Sequence, residues 1–536
     1  MPNAGRGKND KGNSLHWHVL GGNNKHQIGG NCGLCVYNYT DKDGTPGQKA
    51  LLFDIGVLAG DHRSPEDPAL ADSDTVVPDL AKFLYKTDDP DHTPDIPIDS
   101  IFLTHNHVDH MGGIPLLVLM GYKLPKIYAT PYTAERLKQE LSNAGLDPAD
   151  WPEIYAIAPG KAVTEGPVNV TAFWVSHSTP QSAGFFIETP EGNLLNPGDF
   201  KLDQSVLWGP AFSEEQFRHI VSKPVDLLLL DSTGSDRDIA PVTENDVRET
   251  LRELMEEYPN KRFVIAVMGG YEENIASIAM VAAENNRTLW VAGSAHEQAL
   301  SALQDTGMSL SDHIGMEVDL RVLGPGKAAR DLAEAKPKNS VIVVTGAQGH
   351  NNAALTRAAD GRHNALTLNH KTDIILFCAP SIPGQEASRA RLLATLSNKG
   401  YTVLTRQEAM LYSHAHARLP EIIDFVKMAD PKCILPIHGS KELRDGCAEA
   451  MKKMGKKVVQ SDNGDVVRIS HDDVKSIDPP TKDRPPLIGL KTLQGTTWDD
   501  RYYLMVNAPQ ENVSAAPKPA NNNKKHPPKI FKINGK

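Results

Sequence analysis

Residues 100–113 read SIFLTHNHVDHMGG, and within that stretch His105, His107, Asp109 and His110 crowd into six positions. Imidazole and carboxylate are ligands for divalent transition ions, and their spacing sets which ion each one faces. His105 and His107 lie two apart, so at the end of an extended strand their rings project to one side and can hold a single cation. Asp109 and His110 follow at the start of a helix and point toward a second cation. Two neighbouring ions suit a hydrolase, because they lower the pKa of a bridging water and stabilise charge on a scissile phosphate.

A two-ion site needs more donors than this stretch supplies, and the elements around it offer them. Residues 51–56, LLFDIG, predict an apolar strand ending in Asp54, a carboxylate placed to orient a ligand or a metal-bound water. Residues 170–203 alternate strand and turn, with His177 ending the first strand and Asp199 the third, where a carboxylate can bridge two ions. CILPIHGS delivers His438 at the end of one more strand and supplies the last donor that the count lacks. Residues 15–36 predict two strands around a glycine-rich turn, and a helical pattern over 129–144 has Pro131 at its first helical position. After residue 223 the text changes: VDLLLLDSTG ends at Asp231, an amphipathic helix covers 243–257, and the apolar strands RFVIAVMGG, TLWVAG and SVIVVTGAQG alternate with helices. That rhythm predicts a parallel α/β unit over 223–371, inserted between 15–222 and 372–470 of the domain that bears the metal donors.

The chain has 536 residues, 40% of them apolar and 23% charged, which suits a globular protein of two domains. No apolar run approaches the ~20 residues of a membrane span. Residues 1–14 are rich in Gly, Asn and Lys and are expected to be a disordered lead-in rather than a signal or anchor. Five cysteines, an odd number, argue for a reducing compartment, with cytoplasm the expectation. Cys32 and Cys35 form a CxxC without a second pair, and their setting, GGNCGLCVYNY, reads as a strand carrying small buried hydrophobes. A net charge of −11 does not mark a polyanion binder, although a local groove can be basic on an acidic protein. Residues 471–507 read as a short appendage. Residues 508–536, with lysines at 518, 524, 525, 529, 532 and 536, read as a disordered basic tail.

HxHxDH after a hydrophobic strand and Thr104 resembles the metallo-β-lactamase superfamily. The order of FDIGV, LTHNHVDHMGG, YATPYTAERL, PGDFKLD, LLLLDST, TGAQG, RAADGRHNALTL, IPGQE, LPIHGS and NGDVVRI resembles one of its branches, the ribonuclease J group of β-CASP nucleases, over roughly residues 15–469. The resemblance implies an α/β fold, a metallo-β-lactamase αββα sandwich with an inserted parallel α/β β-CASP domain. It implies two Zn²⁺, with Mn²⁺ the alternative: His105, His107 and His177 on one ion, Asp109, His110 and His438 on the other, and Asp199 on both. It also implies RNA as substrate, no membrane partner, and a homodimer or homotetramer. Asp231 matches the family's acidic motif, and His416 matches a histidine that members place in an SGHA or SAH sequence. Asp109, Asp231 and His416 are then the expected catalytic groups, with His416 as general acid held by Asp231.

The departures face the substrate. LYSHAHARL stands where the pattern has HVSGHA, so Tyr412 replaces a histidine and His414 a serine, and QGH replaces QGE at His350. Asn274 and Ser294 stand where members carry arginines, which removes two cations from the expected phosphate contacts. Ser413, His414, Gln348 and Gly349 are the expected substrate-binding residues. The expected activity is metal-dependent phosphodiester hydrolysis of RNA, exo from the 5′ end, endo, or both. DNA or a small phosphodiester is the alternative substrate, and a non-catalytic RNA-processing scaffold is the alternative of another class.

Overall fold

A computed structural model describes residues 12–58 and 75–477, apart from 88, 90, 383, 384 and 406–408, together with the backbones of three later strands. An eight-stranded and a seven-stranded sheet pack face to face. Between them lie Leu15, Trp17, Phe53, Phe102, Phe185, Leu227, Leu229 and Leu435, all buried. The strands that contribute these residues bury both faces or alternate cleanly, as the inner layer of a sandwich requires. A helical layer covers each outer face. Ile114, Leu117 and Leu137 pack from one side, and Phe217, Phe425 and Met451 from the other. This is the expected αββα sandwich.

A six-stranded sheet, every pairing in it parallel, makes the second layer system. Its strands Arg262–Val267, Ser340–Val344 and Asp373–Cys378 are buried throughout. They carry the continuous apolar runs that a parallel sheet covered on both faces demands. The expected limits of this insertion need correction. Leu227–Asp231 lies in the sandwich, parallel to Cys433–Ile437, whereas Asp373–Cys378 and Thr402–Leu404 belong to the inserted sheet. The insertion therefore runs from the helix Glu244–Glu257 to Thr402–Leu404, rather than over 223–371. A fully buried apolar strand reads alike in either sheet, so local sequence could not say which one takes it.

Val474–Ile477 extends the eight-stranded sheet past the expected limit at residue 470, because it pairs antiparallel with Val466–Ile469. Within the expected appendage, Leu487–Thr492 pairs with Tyr503–Val506 and with Thr75–Pro78. Residues 1–11 of the expected lead-in 1–14 and most of the basic tail lie outside the described residues, whereas Ser14 already begins the strand Ser14–Gly21. In the tail, Ile530–Lys532 forms a strand parallel to Tyr503–Val506, a departure from the expected disorder. IFK has the β-branched and aromatic character that strands favour.

Candidate metal centre

Every element that carries a donor ends at one rim of the sandwich. Ser100–Phe102 runs parallel to Pro46–Phe53 and leads through Thr104 to His105 and His107. Asp109 and His110 sit on the short helix Val108–Met111. His177 and Asp199 follow Val168–Trp174 and Asn193–Asn196, in loops joined by the bridge between Ser176 and Lys201. His438 follows Cys433–Ile437. Asp54 and His438 both adopt left-handed backbone, φ 58° and 54°. Neither residue is glycine, and such strain is held where a side chain must be aimed. Gly56 lets the helix approach, since a Cβ there would meet the Asp109 carbonyl.

The seven expected donors converge. Asp199 Oδ2 lies 3.2 Å from His110 Nε2, 3.3 Å from His438 Nε2, 3.8 Å from His105 Nε2 and 3.9 Å from His177 Nε2. His438 Nε2 is also 3.3 Å from Asp109 Oδ2. Three overlapping donor groups emerge around that carboxylate: His105, His107, His177 and Asp199; beside them Asp109, His110 and His438; and Asp199 and His438 again with Asp231 and His416.

The outer nitrogens are all committed. His110 Nδ1 lies 2.8 Å from Asp54 Oδ2, and Asp54 also accepts from the Thr104 amide and hydroxyl, both at 2.8 Å. This is the orienting role expected of Asp54. His438 Nδ1 lies 2.7 Å from the Thr233 hydroxyl. His107 Nε2 donates to the Gly270 carbonyl at 2.8 Å, and His177 Nδ1 donates to the Ala415 carbonyl at 2.7 Å. Because a carbonyl only accepts, those nitrogens carry the protons. His107 Nδ1 and His177 Nε2 then face each other at 3.1 Å with a lone pair each. Two acceptors at that distance repel unless a cation lies against both. His105 Nε2 is likewise buried and has no hydrogen-bond partner. Orphaned buried nitrogens aimed at one carboxylate fit a divalent metal, and the cluster is a divalent-metal site.

The electrostatics agree. Burial, then the neighbouring imidazoles, pushes His105 well below the ordinary range; burial, then His107, does the same to His177. Both rings are therefore neutral, as a ligand must be. Burial opposes charge on His110, but Asp199, Asp109 and Asp54 outweigh it and raise its pKa well above the usual value. His438 is raised against burial to about 9, chiefly by Asp199 and Asp109. Despite burial, His110 and His438 hold Asp199 and Asp109 below the usual carboxylate range. Protons on the second group thus stand in for positive charge that a cation supplies.

Beside the donors, His416 Nδ1 lies 2.8 Å from Asp231 Oδ2, and its ring is 23% exposed toward the cleft. Burial opposes its protonation, but Asp231 and then Asp199 raise its pKa. A cavity of about 160 Å³ opens next to it, lined by Tyr412, Ser413, His414, Ala415, Thr233, Gly234, Arg237, Tyr271, Pro380 and Arg418. Sequence reasoning missed Arg237 and Arg418. The signal available was their distance along the chain from Asp231 and His416, six and two residues.

Of the four expected substrate contacts, Ser413 and His414 line that cavity, and Gln348 and Gly349 do not. Ser413 is buried, accepting from Lys201 Nζ at 2.9 Å and donating to Glu244. Gln348 is buried, donating to the Pro380 carbonyl at 2.7 Å and accepting from the Ile382 amide at 3.3 Å. Gly349 packs so that a Cβ would meet the Ser388 carbonyl. The side chains of Ser413 and Gln348 are thus satisfied inside the protein, as buried polar groups are. His414 does line the cavity, its Nδ1 2.8 Å from Arg418 Nη2. His350 pairs with Gln385 at 2.7 Å, Asn274 is buried, and Ser294 is exposed at the start of a helix. Cys32 and Cys35 are free, buried thiols on one strand, as expected.

Comparison with known proteins gives the same architecture. Three family models match in chain order: a beta-lactamase superfamily domain over residues 74–264, the beta-CASP domain of ribonuclease J over 260–396, and a Zn-dependent metallo-hydrolase RNA specificity domain over 400–460. The chain is a ribonuclease J-like protein of the metallo-β-lactamase/β-CASP family. Ribonuclease J of Sinorhizobium meliloti is 27% identical over 454 residues, spanning 84% of this chain and 74% of that protein. Ribonuclease J 1 of Streptococcus pyogenes is 26% identical, spanning 79% and 71%. Ribonuclease J2 of Bacillus subtilis is also 26% identical, spanning 79% and 72%. A crystal structure of a protein of unknown function from Enterococcus faecalis V583 matches with a TM-score of 0.59 at 18% identity, covering 85% of this chain and 100% of that one. At that identity the likeness bears on the fold alone. Among the described residues, no helix is long and apolar enough to cross a membrane.

Proposed function

We propose that this β-CASP protein is a metal-dependent hydrolase of RNA phosphodiesters acting through two ions, zinc or manganese. The observation that carries the reading is the convergence of these donors on Asp199, with His105 Nε2 buried without a hydrogen-bond partner and His107 Nδ1 facing His177 Nε2 as one acceptor against another. His105, His107 and His177 would hold one ion, Asp109, His110 and His438 the other, and Asp199 both. Bound there, the ions would supply an activated water and neutralise charge on the phosphate.

The protein's own groups do the rest. The inserted domain meets the sandwich at the cluster, where the Gly270 carbonyl accepts from His107 and Ser178. His416, its proton retained by Asp231, protonates the leaving oxygen, which metals that activate the water do not do. Arg237 and Arg418 line the adjoining cavity and offer positive charge to a phosphate of the chain being cleaved, in place of the arginines absent at Asn274 and Ser294.

The test is an end-labelled product ladder. RNA and DNA bearing 5′-phosphate or 5′-hydroxyl are incubated with the purified protein and Zn²⁺ or Mn²⁺. RNA products are expected, with cleavage abolished by chelation. Cleavage of DNA alone would move the substrate, and the absence of cleavage on any nucleic acid with either metal would overturn the reading.

A further inference from the structure

The two donor groups are held by different parts of the molecule. In the second group, His110 is oriented by Asp54 and His438 by Thr233. Asp54 follows Pro46–Phe53 and Thr233 follows Leu227–Asp231, so both belong to the sandwich. In the first group, His107 is held by the carbonyl of Gly270, in the turn between Arg262–Val267 and Glu272–Glu284 of the inserted domain. His177 is held by the carbonyl of Ala415, on the segment that returns from the inserted sheet to the sandwich.

The turn at Gly270 is itself docked on the sandwich. Ser178 Oγ donates to the same Gly270 carbonyl at 2.9 Å, and the Glu273 amide donates to the Ser178 carbonyl at 3.1 Å. Glu273 accepts from the amides of Leu207 and Trp208 at 2.9 and 3.0 Å. Gly270 has φ 87°, and a Cβ there would stand 2.9 Å from His107 Nε2. Nothing bulkier than glycine brings the carbonyl to this ring without a shift.

We propose that Gly270 is a positioning residue through which docking of the inserted domain sets the affinity of one of the two ion positions, that of His105, His107 and His177, while the other position is set within the sandwich alone. The inference rests on the two-ion reading above. An imidazole whose outer N–H loses its acceptor loses orientation and basicity, and such losses typically cost ~10–100-fold in metal affinity. When the lobes separate, the Gly270 carbonyl leaves His107, and the first position weakens while the second does not. By linkage the ion at the first position favours the docked lobe by the same factor.

The test is titration of the metal-free full-length protein with Co²⁺, read by its visible absorption, with no RNA present. Wild type is expected to fill two resolvable classes. Gly270→Ala should weaken one class ~10–100-fold and spare the other, whereas Thr233→Ala should weaken only the class that Gly270→Ala spares. Glu273→Ala loosens the dock without touching a ligand and should weaken the same class as Gly270→Ala, which keeps the proposal testable should Gly270→Ala not fold. Hydrogen exchange of residues 268–275 should slow when the first class fills. Equal weakening of both classes, or none, in the folded Gly270 and Glu273 variants would overturn the inference alone. A single class in the wild type would overturn the two-ion reading and the inference with it.

Discussion

Removing the ring of His416 tests the acid role in one step. Its Nδ1 is 2.8 Å from Asp231 and 3.7 Å from Asp199, so both carboxylates stabilise the imidazolium and leave Nε2 to deliver a proton. A positioned general acid is worth ~10² to 10⁴ in rate, or ~3 to 5.5 kcal/mol of barrier. His416→Ala should therefore lose ~10² to 10⁴ in single-turnover cleavage of RNA, with its bound metal unchanged because the seven proposed donors remain. A substrate whose leaving oxygen is replaced by sulfur departs without protonation, and on it the variant should recover most of the loss. Asp231→Asn should lose less than His416→Ala and in the same substrate-dependent way. His414→Ala is the comparison for the acid role: that ring pairs with Arg418, so its loss is expected to act through substrate binding and to be equal on both substrates. An equal loss on both substrates in His416→Ala would refute the acid role. So would a near wild-type His416→Ala beside a crippled His414→Ala, which would move the acid two residues along the chain.

Other expectations follow from the same contacts. Burial raises the pKa of Glu273 from 4.5 to about 8, so its contribution to stability is fully present below its unfolded value and is lost as pH rises through the folded one. Thermal melts should show stability falling between roughly pH 5 and 9, by up to ~3–5 kcal/mol, and Glu273→Gln should flatten that slope; an unchanged slope would mean the carboxyl is charged at neutral pH. Truncation after Ala508 should weaken RNA binding most at low salt and leave saturated turnover nearly unchanged, and an equal loss of turnover would assign the tail a part in the active site. Preference for 5′-monophosphate over 5′-hydroxyl ends should be weak in the wild type and weaker still in Arg418→Gln; sharp discrimination that survives this change would show that Tyr412, His414, His350, Asn274 and Ser294 are neutral departures and that the arginine does not read the phosphate.

Most of the donors could be read because they follow strands whose apolar pattern is local, as with SIF before His105 and CILPI before His438, and the orienting Asp54 could be read in the same way after LLF. Spacing separates strand-end His105 and His107 from helical Asp109 and His110, whereas the expected places of His177, Asp199 and His438 in the grouping came from the family resemblance. The insertion limits were not legible. Leu227–Asp231 and Asp373–Cys378 are equally apolar, and only pairing with Cys433–Ile437 or Arg262–Val267 assigns them to a sheet. The partners that satisfy Ser413 and Gln348 inside the protein, Lys201, Glu244 and the Pro380 carbonyl, lie far away in sequence and could not be read from it. The groups that aim His107 and His177 are main-chain carbonyls, for which the residue names Gly270 and Ala415 give no sign.

The central claim, that the histidine–aspartate cluster holds two ions on which cleavage depends, is tested most directly by elemental analysis of the purified protein and of His107→Ala, with RNA cleavage measured on the same samples. Two transition-metal ions per chain are expected in the wild type, and fewer in the variant together with loss of cleavage. Near-zero bound metal in an active wild type, or full activity in His107→Ala, would contradict the account.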